Sequence, residues 1–274
     1  MQLDATTTAI VTGASRGLGR HITRALAQSG VSLVLAARSA PELEAEAEEL
    51  RRTGVAVHVR PTDVAHPEEQ AQLVAFAQSK LGHVDVLVNN AGVEQVERFE
   101  GIDLARMRHT LGVNLVAPMA LTRLVLPGML AQQRGHIVNI ASLAGKSGPP
   151  HGETYAASKA GLIGFTQSLR ASYAGTGVSA SAVCPGFVAD EGMFADRARA
   201  AGGIGVPKLL GQSRPEAVGE AVVAAIEEDA PEMLVNPGPT RLLMTVAAAF
   251  PRMPGWLIRR MGLRDLYEKA IRPH

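Results

Sequence analysis

Tyr155 and Lys159 stand four residues apart in Tyr155-Ala156-Ala157-Ser158-Lys159, with Ser142 upstream. These are residue types that can move a proton together. On a helix, positions i and i+4 lie one above the other on the same face. That spacing brings an ammonium close to a phenol. A positive charge nearby favours phenolate, so the spacing predicts a Tyr155 pKa drawn down from about 10 toward neutral pH. Such a phenol can give a proton to a carbonyl oxygen or take one from a carbinol. Ser142 offers a second hydroxyl to the same oxygen. Alone the pair is a weak signal, because most Tyr-x-x-x-Lys pairs are an aromatic anchor beside a solvated lysine. Its meaning rests on the elements that position it.

Residues 8–11 read as a short buried strand that runs into Thr12-Gly13-Ala14-Ser15-Arg16-Gly17-Leu18-Gly19, and residues 20–29 as a helix closed by Gly30. Gly13, Gly17 and Gly19 suit a turn that something must approach closely, and a helix N-terminus after it points free N–H groups at an anion such as a pyrophosphate. No Gly-Lys-Ser/Thr follows, so this is not a Walker loop. Residues 31–36 form the next strand. Where NAD-binding sheets place an acidic residue for the ribose 2′-hydroxyl, this chain has Arg38, with Arg16 in the glycine turn. Two guanidinium groups there favour a 2′-phosphate and hence NADP over NAD.

Strand and helix go on alternating: helix 42–52, strand 55–59, helix 67–81, strand 84–88, a long helix 103–132, strand 135–140 and helix 153–173. This pattern predicts a parallel sheet covered on both faces. Helix 42–52 reads as a solvated face with Leu43, Ala47 and Leu50 inward. Asp63-Val64 follow the third strand, where an adenine could be held, and Asn89-Asn90-Ala91-Gly92 follow the fourth. Asn114 lies inside the long helix, with Val113 and Leu115 suggesting partial burial. Ser142 lies just past the fifth strand. Ligands of open α/β sheets bind beyond these strand ends, so Ser142, Asn90 and the glycine turn should share one crevice.

The 274 residues are 46% hydrophobic with 28 glycines, which suits a packed globular chain. A net charge of +1 gives no electrostatic footprint for nucleic acid. The eight histidines lack zinc spacing, so no metal is expected. Cys184, the single cysteine, allows no intrachain disulfide and reads as a buried inert thiol. There is no signal-like N-terminus and no run of about 18 uncharged apolar residues, so a cytoplasmic protein without a spanning helix is expected.

Taken together, the Thr12–Gly19 turn, Asp63, Asn89-Asn90-Ala91-Gly92, Asn114, Ser142, Tyr155 with Lys159, and Pro185-Gly186 resemble the short-chain dehydrogenase/reductase family over residues 5–240. The resemblance implies an α/β, Rossmann-like doubly wound parallel sheet of about seven strands with helices on both faces. It implies a nicotinamide cofactor held by Gly13, Ser15, Arg16, Gly17, Leu18, Gly19, Arg38, Asp63, Val64, Asn90, Ala91, Gly92, Tyr155, Lys159, Pro185, Gly186 and Val188. Tyr155 would be the general acid/base, Lys159 would lower its pKa and hold the ribose, Ser142 would orient the substrate oxygen, and Asn114 would hold a water. Phe187 would touch substrate. Family members commonly carry Thr a few residues after Pro-Gly; here Asp190 stands at that point, and its charge would be costly if buried. The helix bearing Tyr155, through Ala157, Gly161, Gly164 and Ser168, would join the Asn114 helix in a homodimer or homotetramer interface.

The expected organisation is a catalytic domain over residues 1–240 and a C-terminal helical extension over 241–274. Residues 191–205 read as a mobile lid. The extension mixes apolar and basic residues at Trp256-Leu257-Ile258-Arg259-Arg260-Met261. It reads as a cap on the pocket or on a neighbouring subunit, with contact to a lipid surface as the sharper alternative. His151 lies near enough to Tyr155 in sequence to touch substrate, although a plain loop histidine is the simpler reading. The expected activity is NADP(H)-dependent interconversion of a hydrophobic ketone and its secondary alcohol, or of a 3-oxoacyl thioester, in a pocket lined by Val93, Leu143, Ala144, Pro149 and Phe187. The alternatives are an NAD-linked alcohol dehydrogenase of the same fold and a cofactor-binding sensor that has lost turnover.

Overall fold

The computed structural model describes residues 1–190, 192–193, 199, 211–238, 240–250, 267–268 and 271. Alternation of apolar strands and amphipathic helices produces β1 (Thr8–Thr12), α1 (Leu18–Gln28), β2 (Ser32–Ala37), α2 (Ala40–Arg51), β3 (Val57–Pro61), α3 (Pro67–Leu81) and β4 (Val86–Asn89). It continues with α4 (Leu104–Leu111), α5 (Ala117–Ala131), β5 (Gly135–Ile140), α6 (Glu153–Ser172), β6 (Val178–Pro185), α7 (Glu216–Glu227), β7 (Glu232–Val235) and α8 (Thr240–Ala249). The seven strands pair in the order β3-β2-β1-β4-β5-β6-β7, every pairing parallel. This is the parallel sheet that the alternation predicts and the Rossmann-like, doubly wound arrangement that the family resemblance implies. The order reverses between β1 and β4, so a crevice opens there beyond the strand ends.

Successive strand residues feed opposite cores, as a period of two requires. Ala9, Val11, Leu33, Leu35, Val86 and Val88 meet α1, α2 and α7 through Ile22, Leu26, Leu43 and Val222. Ile10, Val34, Leu87 and Ile137 meet α3 and α5 through Leu73, Leu121, Val125 and Met129. Helix α2 is more than a solvated face. Leu43, Ala47 and Leu50 are buried as expected, but so is Glu46, which accepts from Arg20 Nε at 2.5 Å and Arg24 Nε at 3.1 Å. The two guanidiniums compensate a carboxylate that would otherwise be costly to bury.

The predicted long helix is continuous from Leu104 to Ala131 but carries a π turn at Gly112–Val116, which holds Asn114. By length and apolar composition alone this 28-residue run is long enough to cross a membrane, although Arg123 interrupts its apolar stretch. Its buried residues, among them Leu121, Val125 and Met129, pack on the sheet as a core helix does.

Candidate active site

The glycine turn closes β1 onto α1. Gly13 has φ +65° and Gly17 φ +54°, a region that favours glycine. A Cβ on Gly19 would land on the Gly13 carbonyl oxygen, and one on Gly13 would come within 2.9 Å of Ala91 Cα. Helix α1 begins at Leu18, two residues earlier than predicted, so its free N–H groups lie inside the turn itself. Asn90 stitches this turn to the end of β4. Its Nδ2 donates to the Thr12 carbonyl at 2.9 Å and the Gly13 carbonyl at 3.1 Å. Thr12 Oγ1 accepts from the Asn90 and Ala91 amides, both at 3.0 Å. Thr12 was not singled out from sequence, although its place just before Gly13 was the available signal.

Asn114, expected to be partly buried, is fully buried. Its Oδ1 accepts from the Val93 amide at 2.8 Å, while Nδ2 donates to the Val93 carbonyl at 2.8 Å and to Ser158 Oγ at 3.1 Å. It therefore ties the π turn to the segment after β4 and to α6. Ser158, inside the Tyr-Lys spacing, is the second partner that sequence reasoning passed over.

Lys159 is buried, and its Nζ donates to the Ile140 carbonyl at 2.7 Å. It lies 5.8 Å from the Tyr155 ring centroid. Helical spacing does bring the two together, yet the expected lowering of the Tyr155 pKa is absent. Burial pushes that phenol up, the Glu94 carboxylate pushes it further, and the hydrogen bond with Ser142 only partly opposes them. Burial also brings Lys159 down from 10.5 to about 8. In both groups desolvation disfavours the charged form and is the largest cause of the shift. Beneath the site, burial pushes the Cys184 thiol up to about 12, which fits an inert core thiol.

These parts surround one cavity of about 760 Å³. It is lined by Gly13, Ser15, Arg16, Gly17, Leu18 and Gly19, by Arg38, Asp63 and Val64, and by Asn90, Ala91 and Gly92. Ser142, Tyr155, Lys159, Pro185, Gly186, Phe187 and Val188 complete it, with Val93, Leu143, Ala144 and Pro149 at its apolar part. Among the predicted site residues only Asn114 stays behind the wall. Glu94, Asn236, Met244 and Tyr267 also line the cavity, and no sequence signal marked them.

Asp190 does not line it. The residue is exposed at φ +57°, and its carbonyl accepts from Arg199 Nη1 at 2.7 Å, so the expected burden of a buried charge does not arise. His151 also stays outside the cavity lining. The predicted lid, residues 191–205, lies mostly outside the described residues, but Gly192, Met193 and Arg199 line the cavity. The Trp256–Met261 stretch lies outside them altogether. On α6, Ala157, Gly164 and Ser168 are exposed, whereas Gly161 faces Leu115 of its own chain.

A nicotinamide cofactor suits these residues. The crowded glycines leave room for a backbone approach, α1 aims amides into the cavity, and two guanidiniums stand beside it. The family model for short chain dehydrogenase matches residues 7–201. The chain is 40% identical over 267 residues to ketoacyl reductase HetN of Nostoc sp., covering 96% of this chain and 91% of that one. It is 34% identical over 203 residues to D-beta-hydroxybutyrate dehydrogenase of Rhizobium meliloti, covering 72% and 78%. Among solved structures, a single-site variant of actinorhodin polyketide ketoreductase with NADPH superposes with a TM-score of 0.74 at 32% identity, covering 86% of this chain and 97% of that one. With the parallel sheet, the glycine turn and the Ser-Tyr-Lys cluster meeting in one cavity, the chain belongs to the short-chain dehydrogenase/reductase family and is an NAD(P)-dependent oxidoreductase of keto and alcohol substrates.

Proposed function

We propose that this protein is an NADP(H)-dependent ketoreductase that acts on hydrophobic ketones or 3-oxoacyl thioesters, mainly in the reducing direction. The observation that carries the reading is a buried Tyr155 phenol, hydrogen-bonded to Ser142, in a cavity shared with Lys159 and the glycine turn. Arg16 and Arg38 line the same cavity without an acidic residue at the end of β2, which supports a 2′-phosphate and so NADP over NAD. Similarity to a ketoacyl reductase and to a polyketide ketoreductase crystallised with NADPH supports the same reading.

When bound, the cofactor supplies the hydride that reduces the carbonyl carbon. Ser142 donates to the carbonyl oxygen and orients it. Tyr155, kept protonated by burial, hands its phenolic proton to that oxygen as negative charge develops there. Lys159, charged below about 8, holds a positive charge beside the phenolate that is left and is the nearby donor from which it can regain a proton. Asn114, whose Oδ1 accepts one hydrogen bond from the Val93 amide and keeps a second lone pair, would hold a water that links Lys159 to solvent. The exposed apolar residues Val116 and Met119 beside the exposed small residues of α6 support a homo-oligomer formed through these helices.

Titration with NADPH and NADH, followed by nicotinamide fluorescence, tests the cofactor. We expect tighter NADPH binding, and Arg38→Asp should reverse the preference by about tenfold or more, the scale of losing a charge-assisted contact to phosphate. An unchanged preference in Arg38→Asp would overturn the cofactor assignment. NADH preference in the parent protein would redirect the assay to alcohol oxidation. Binding with no reduction of any ketone or 3-oxoacyl thioester would overturn the catalytic reading.

A further inference from the structure

Tyr267 lies beyond residues 7–201, the part matched by the family model, yet it reaches the cavity. It is 7% exposed and packs on Val96, with Ile271 against the pair. Three chain segments meet around the residue that follows it. Arg98 Nη2 donates to Glu268 Oε2 at 2.9 Å. His151 Nε2 points at Glu268 Oε1 from 3.4 Å and, though buried, has no hydrogen-bond partner. The His151 carbonyl accepts from the Glu97 amide at 3.0 Å, which joins the segment after β4 to the segment before α6. His151 holds this position at φ +60°, a backbone region that a non-glycine side chain seldom adopts. Behind them Gln95 Nε2 donates to Glu97 Oε1 at 2.8 Å, and Thr110 Oγ1 donates to Gln95 Oε1 at 3.0 Å, bracing the segment on α4.

We propose that Tyr267 is the wall against which the substrate's apolar tail ends, and that Glu268 positions it by clamping this point of the chain to Arg98 and His151. This rests on the ketoreductase reading and names its specificity-determining residue. The arrangement couples two regions of the site. The clamp grips the segment that leads, four residues later, to Tyr155, and the segment that carries Val96. With Pro149, Phe187, Met193 and Met244 lining the same cavity, the favoured substrate carries an uncharged apolar chain short enough to stop at the phenol ring. A longer chain would have to displace Tyr267 and break its packing on Val96.

The test compares the parent protein with Tyr267→Ala, Tyr267→Leu and Glu268→Gln in NADPH-dependent reduction of 3-oxoacyl N-acetylcysteamine thioesters with short, medium and long chains. Tyr267→Leu keeps an apolar contact on Val96 while shortening the wall, so it serves if the alanine variant folds poorly. Both Tyr267 variants should raise kcat/KM for long over short chains by about tenfold or more, the scale on which a few methylenes in an apolar pocket discriminate. Glu268→Gln should move the ratio the same way by a smaller factor, through KM with kcat held, because it loosens the wall without touching the reacting atoms. NADPH affinity should stay unchanged in all three. Folded, active variants with the parent's chain-length ratio would overturn the wall and leave the ketoreductase reading standing. If the parent reduces no carbonyl, the catalytic reading fails and the clamp is judged by amide hydrogen exchange. Faster exchange at Glu97 in Glu268→Gln would uphold it, and unchanged exchange would overturn it.

Discussion

Tyr155 and Lys159 show how little a spacing says about charge. Their i, i+4 relation places ammonium and phenol on one face, but both groups are buried, and removal from water disfavours the charged form of each. The phenol is therefore held protonated and the ammonium made easier to neutralise. The signs lead to a definite pH profile. Lys159 is charged below about 8 and neutral above it, while Tyr155 keeps its proton across that range. Ketone reduction needs both, so its kcat should be level up to about pH 8 and fall above it. Alcohol oxidation needs the phenolate and should climb with pH. Rates measured in both directions from pH 6 to pH 10, taken as roughly the span around these groups' ordinary values, check this. Tyr155→Phe should keep NADPH binding and lose about 10²–10⁴-fold in kcat, the usual worth of a positioned proton donor. Retained turnover would remove Tyr155 from the mechanism.

At the scale of the elements, the π turn at Gly112–Val116 is what makes Asn114 useful. An extra residue in one turn rotates the side chains that follow, and it is at functional sites that such turns concentrate. Asn114 within this turn is buried, and its amide makes three hydrogen bonds there. Asn114→Ala would leave the Val93 amide and carbonyl without these partners. Each buried unsatisfied group costs about 1–3 kcal/mol. Thermal unfolding should therefore move down by several degrees, at roughly 2–4 °C per kcal/mol for a domain near this size. A Tm within one degree or so of the parent would mean that the turn holds without its amide. The glycine turn works by exclusion: Gly19 packs where any Cβ would strike the Gly13 carbonyl, so the backbone itself forms the cavity floor.

For the whole molecule, burial within one chain leaves an apolar remainder. Val116 is 57% and Met119 43% exposed, and Ala157 and Gly164 are exposed on α6. Large apolar side chains beside small ones leave a surface on which helices of a second copy can close. Substituting Val116→Lys together with Met119→Lys should convert an oligomer to monomer in light scattering coupled to size exclusion. An unaltered mass would place the subunit contact elsewhere. The cavity, in contrast, is formed by one chain, with residues drawn from the first turn through to Tyr267.

Much was legible before any coordinates. The element order as far as α6, the bounds of α3 and β5, and the parallel sheet follow from local rules, and the family resemblance adds most of the cofactor-facing residues of the cavity. Alternating runs of apolar residues specify strands buried on both faces, glycines mark a turn that admits no Cβ, and helical spacing joins Tyr155 to Lys159. What depended on tertiary structure were quantities set by distant neighbours. Burial reversed the expected Tyr155 shift, packing on α1 turned the solvated Glu46 into a buried ion-pair partner, and the turn at Asp190 sent that carboxylate to solvent. Glu94 and Tyr267 carry no local signature, because a cavity wall is specified by what comes together in space. Their neighbours in the chain say nothing about whether they will face water, a core or a substrate.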